Sequence, residues 1–262
     1  MQNVKSQIAE DQVYLSPGLA GNPLYPNNTK SNKMAVKVNI PSLSKYLMIA
    51  IGLLVVLNIL VVISYQLGIE FPARDKFYFD REDSLPTYYS ALLLFGSALV
   101  LSIIAFLKRK EKDSFAMHWT ILSFIFLALS IDEAVSFHEY LIEPLRAKFQ
   151  LDGALRFPWV IAGGLFVLVF AFSYLKFFLA LSKNMKILFF MSAAIYVLGV
   201  IGFEMIGGSI YKGSTGVSDT SLLYMVVMTT EETLEMLGIS LFIITLLKYI
   251  KSYTPKLKLY FN

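Results

Sequence analysis

Six long apolar runs alternate with shorter polar blocks along the chain. They lie at roughly 47–68, 88–107, 116–138, 158–181, 187–207 and 221–247. Each is close to the ~20 residues that a helix needs to cross a bilayer. Pro86 and Pro158 fall where the second and fourth helices should start, a position that tolerates proline's missing N–H. Asp219 and Ser221 are suited to cap the sixth. The pattern predicts an all-α, polytopic membrane protein, with six transmembrane helices bundled over residues 39–250. Residues 1–38 are rich in Asn, Pro, Gly, Ser and Lys and are expected to form a disordered tail. Residues 251–262 are expected to form a second tail. The polar N-terminus has no apolar h-region, so the first run is expected to serve as the insertion signal.

Charge orients this bundle. With the N-terminus on the cytoplasmic side, 16 of the 23 Lys and Arg residues fall in cytoplasmic segments, as the positive-inside rule requires. Both termini are therefore expected in the cytoplasm. The acids show the opposite bias, with 15 of 19 in outer loops or the outer halves of helices. Only 16% of the chain is charged and 56% is hydrophobic, against ~25% charged in a soluble domain. The expected partner is the lipid bilayer. The net charge of +4 does not indicate nucleic acid, because topology accounts for the basic residues. The absence of cysteine excludes disulfides, thiolate metal sites and cysteine nucleophiles.

Three of the runs carry ionisable groups that hydrocarbon solvates badly. The third holds Asp132 and Glu133 and ends at His138 and Glu139. The fifth holds Glu204, and the sixth holds Glu231, Glu232 and Glu235. Helical rise puts all three sets between mid-membrane and the outer interface. At ~100° per residue, Asp132, Ser136 and Glu139 share one face of the third helix, and His138 lies on the flank opposite Glu133. Glu231, Glu232 and Glu235 fit within one ~100° arc, which must face the bundle interior or a wet cavity. Such carboxylates can be protonated, paired with loop bases such as Arg81, Arg146, Lys148 or Arg156, or bound to a cation. Carboxylates with one imidazole suit Fe, Mn or Zn.

Plainer readings compete for some of these residues. His138 and Glu139 suit a membrane interface, and Glu204 suits a bond to a nearby loop. His118 with Trp119 also suits an interface, while Lys176 suits snorkelling. The set resembles the ferritin-like di-metal pattern only in part, because it has one nearby histidine and no Glu-x-x-His. The two histidines lie ~30 Å apart on one helix and cannot bind one haem. No nucleotide-binding loop, familiar hydrolase motif or transporter-like internal repeat is visible.

The strings Phe79-Asp-Arg-Glu-Asp-Ser-Leu-Pro-Thr-Tyr-Tyr-Ser90, Leu129-Ser-Ile-Asp-Glu-Ala134, Phe137-His-Glu139 and the Glu-Glu-x-Leu-Glu-Met-Leu-Gly run from Glu231 resemble a group of uncharacterised bacterial multi-span proteins. The resemblance spans about residues 45–250. It implies a six-helix protein of the bacterial inner membrane and brings no activity with it.

Three functions are open at this level. The first is a metal-dependent membrane protein, acting as an enzyme on a lipid or other hydrophobic substrate. The second is a proton- or cation-coupled transporter using the same acids. The third is a non-catalytic subunit whose acids meet a protein partner. The outer loop at 69–87 is expected to be structured over the mouth of the bundle, with no legible role.

Overall fold

The structure is a computed structural model that describes residues 34–35, 39–212, 220–253 and 260–261. Helix α1 (Ile40–Leu67) starts where the Asn39 side chain accepts from the Ser42 amide at 3.2 Å, with Pro41 in the first turn. It ends at Gly68, whose φ of 66° is the left-handed conformation that favours glycine. This start precedes the expected one by seven residues, because cap and proline together fix it ahead of the apolar run.

Helix α2 (Leu85–Lys110) is capped by Ser84 and has Pro86 in its first turn, as expected. It is followed by α3 (Ala116–Val135), the short α4 (Ile142–Phe149) and α5 (Trp159–Ala180), which starts directly after Pro158. Helix α6 (Lys183–Val197) runs on through a π-helical turn (Leu198–Phe203) into α7 (Glu204–Ile210). The last helix is α8 (Leu222–Tyr253). Its first turn is closed by the Met225 amide on the Ser221 carbonyl, and the second expected cap, Asp219, lies outside the described residues.

Among the described residues, six helices are long and apolar enough to cross a membrane: α1, α2, α3, α5, the α6–α7 unit and α8. The chain is a multi-pass, all-α membrane protein. Most of residues 1–38 and 254–262 lie outside the described residues. Within those tails Met34–Ala35 pairs antiparallel with Tyr260–Phe261 as a unit of its own.

Helix α8 is the hub, packing along α1, α2 and α6, while α2 runs close along α3. Its buried face includes Met225, Met236, Ile239, Ile243 and Leu246. A Cβ at Gly238 would stand 2.7 Å from the Tyr196 backbone nitrogen, so only glycine allows α6 this close. Small residues commonly set such approaches between membrane helices, where packing rather than water expulsion drives association.

The bundle has two chemically different ends. At the basic end, Lys108 is buried and paired with Asp113 at 3.0 Å. Trp119 there packs on Phe177 and Tyr249, with both ring centroids at 4.8 Å. His118 stacks on Phe177 at that end, among aromatics. Further along the bundle, Phe126 stacks on Phe242 at 4.4 Å, with Phe189 against the same ring at 5.6 Å. These three phenylalanines stand seven residues, two helical turns, from Glu133, Glu235 and Tyr196 on their own helices. They form an aromatic layer below the acidic end.

Candidate functional site

At the acidic end, α3 stops at Val135, short of the expected residue 138. Ser136 turns left-handed (φ 55°) and donates its amide to the Asp132 carbonyl at 2.6 Å. A 3-10 turn, Phe137–Leu141, follows. His138 and Glu139 therefore do not extend the helical face that uninterrupted periodicity predicts. Instead the reversal folds His138 back onto Asp132. Its backbone N–H donates to Oδ1 and its ring Nδ1 to Oδ2, both at 3.0 Å.

Glu204 opens α7, directly after the π turn. Turns of this type insert an extra residue and recur at functional sites. Its carboxylate accepts from Trp159 Nε1 at 2.7 Å, and the Trp159 ring sits 5.0 Å from that of His138. The π turn lies against α8, because a Cβ at Gly199 would meet Glu231 O and Glu235 Cγ at 3.0 Å. Glu231 and Glu235 lie one turn apart and are only 7% and 8% exposed. Glu204 and Glu231 line the same cavity. Glu231 Oε2 and Glu232 Oε2 have no partner among the described residues.

The loop between α1 and α2 adds two acids that sequence reasoning passed over. Buried Asn58 anchors the loop, accepting from the Phe79 amide at 3.1 Å and donating to Thr229 at 2.7 Å. Tyr224 donates to Asp80 at 2.9 Å, and Ser136 donates to Glu82 at 2.9 Å. The only signal in the sequence is an acid pair following the aromatic string Phe77-Tyr-Phe79, a weak one inside a loop that also carries bases. Burial, opposed by the Tyr224 hydroxyl and reinforced by the charges of Glu204, Glu82 and Glu139, pushes Asp80 up to about 7. Burial and the Glu139 charge also raise Glu82. For His138, burial disfavours the charged ring. The Asp132 bond and the charges of Asp132, Glu82 and Glu133 outweigh it and hold the pKa at about 9.

All eight residues selected from sequence, Asp132, Glu133, His138, Glu139, Glu204, Glu231, Glu232 and Glu235, line one cavity of about 150 Å³, together with Asp80 and Glu82. No Lys or Arg is among the described lining residues, so among them the acids are not compensated by loop bases. Arg81 is with Asp75 at 3.7 Å, Arg156 is with Asp152 at 3.2 Å, and Arg146 pairs with Glu143. Aromatic walls come from Phe79, Phe157, Trp159, Tyr196 and Tyr224. As placed, the described side chains form no group of three or more His, Asp or Glu that would hold a metal ion. The expected convergence of acids is present; a formed metal centre is not.

What the arrangement offers chemically is concentrated negative charge beside aromatic rings, with one imidazole whose Nδ1 is tied down and whose Nε2 is left for proton exchange or ligation. No curated protein and no solved structure matches the chain. Residues 47–249 match a family defined only as a domain of unknown function, DUF8692, and the chain belongs to that family.

Proposed function

We propose that the protein binds a divalent metal ion, Fe, Mn or Zn, in this cavity and works there as a metal-dependent membrane enzyme on a hydrophobic substrate. The observation that supports this most is the make-up of the cavity wall: among the described residues, nine carboxylates and one imidazole, with no Lys or Arg. Buried negative charge of that density is compensated by protons or by a cation. A divalent cation offsets two carboxylates and can be ligated by more, and this donor set suits first-row divalent ions. The cavity has room for about five waters at ~30 Å³ each, so the ion would be met partly through water. Glu204, Glu231 and Glu235 would supply ligands, with Asp132 oriented by His138. The ion would contribute Lewis acidity and an acidified bound water. We read the acidic end as the outer side of a bacterial cytoplasmic membrane, because the basic residues collect at the other end. A transporter would need a second path through the basic half, and the layer of Phe126, Phe189 and Phe242 favours a closed-ended cavity instead.

The test is metal analysis of the full-length protein, purified in lipid nanodiscs and washed with a weak chelator. The expected result is stoichiometric divalent metal in the wild type and several-fold less in Glu231→Gln/Glu235→Gln at an unchanged thermal midpoint. Wild-type protein free of metal, or a double variant with the same content, would overturn the proposal.

A further inference from the structure

The wall of the cavity is weakest on one side. Among the spans, the α3 backbone runs close along α2. Away from the acidic end, α3 meets α5 and α8 through ring contacts, Trp119 on Phe177 and Tyr249 and Phe126 on Phe242. At the acidic end, α5 approaches its neighbours through the Phe137–Leu141 turn and the π turn. Helix α5 is pinned at its two ends. Trp159 bonds Glu204 at one, and the Tyr174 hydroxyl donates to the His118 carbonyl at 3.0 Å at the other. From Ile161 to Ser173 it has no buried residue. A Cβ at Gly164 would meet nothing within 4 Å. Leu129 of α3 and Val200 of the π turn both line the cavity and are only half-buried.

The interior behind this side has an unmet demand for positive charge. Glu231 is 7% exposed, yet its Oε2 finds no donor among the described residues. One divalent ion would offset only two of the nine lining carboxylates. The residual field repels phosphate and carboxylate head groups. The rings of Trp159, Tyr196 and Tyr224 offer faces of the kind that attract ammonium groups.

We propose that the cavity opens sideways into the bilayer, between α3 and the π turn beside α5, and admits a membrane amphiphile with a cationic amino head group. The ammonium sits among the carboxylates, and the alkyl chain lies in the slit along α5. This names the substrate class for the site described above and rests on that reading of it.

The experiment uses two photoreactive alkyl probes of equal chain length, each with a mid-chain diazirine, one bearing a primary amine and one a phosphate. Both are added to the full-length protein in nanodiscs, and adducts are mapped by mass spectrometry. The amine probe is expected to label Leu129, Val200 and the 161–173 segment, with labelling displaced by excess unlabelled alkyl amine. The phosphate probe is expected to label there about tenfold less. Val200→Trp is expected to suppress amine labelling, whereas Leu53→Trp, on an exposed face of α1, leaves it. Equal labelling by both probes, or amine adducts spread over exposed faces without displacement, overturns the inference. Metal content measured on the same samples separates the two ideas: metal without displaceable labelling overturns this one alone, and labelling without metal overturns the metal site alone.

Discussion

His138 gains its place and its charge from one neighbour. Asp132 holds both its backbone and its ring, and that bond, with nearby carboxylates, keeps the imidazole protonated up to pH about 9 despite burial. In the metal-free Asp132→Asn variant the ring pKa is expected to fall toward the ordinary ~6.5. The chain has two histidines, so the shift is readable by NMR titration of two imidazole signals. A raised histidine pKa stabilises the fold fully below ~6.5, and the contribution is lost as pH rises through about 9. The wild-type thermal midpoint should fall over that window, and the variant's should fall less. Asp132 and Glu133 stood out in the sequence because an apolar run makes every acid conspicuous. Asp80 and Glu82 did not, since acids in a loop among Arg81 and Asp83 look like ordinary solvated charge until Asn58 and Tyr224 are seen to draw that loop inward.

At the scale of elements, two breaks in regular helix build the site. The left-handed Ser136 ends α3 and returns His138 to Asp132. The π turn at Leu198–Phe203 sets Glu204 against Trp159 and seats Gly199 on α8. Neither was legible from hydrophobic periodicity, which reports the length and face of a helix but continues straight through a change of one residue per turn. Gly199→Leu is expected to cost about 1–3 kcal/mol by overpacking, because its Cβ alone would already press on Glu231 O and Glu235 Cγ at 3.0 Å. The measurement is thermal unfolding in detergent. The same substitution should also lower metal content, since both carboxylates sit on the displaced turn. A midpoint equal to wild type would show that the π turn yields freely.

For the whole molecule, six spans and the gathering of their acids were legible because lipid admits so few solutions: long apolar helices, with charges turned inward. Orientation is the part that geometry alone does not fix. The chain's lack of cysteine allows a direct check with single cysteines and a membrane-impermeant maleimide on intact cells. Positions 76 and 146, in acidic-end segments, are expected to react from outside. Positions 112 and 183, at the basic end, are expected to react only after the membrane is opened. The reverse pattern would turn the cavity toward the cytoplasm.

The layer of Phe126, Phe189 and Phe242 has a consequence for the order of events. A chamber closed at its base offers no through-route to the basic side, so whatever enters from the acidic half also leaves by that half, and a spent molecule that lingers competes with a fresh one.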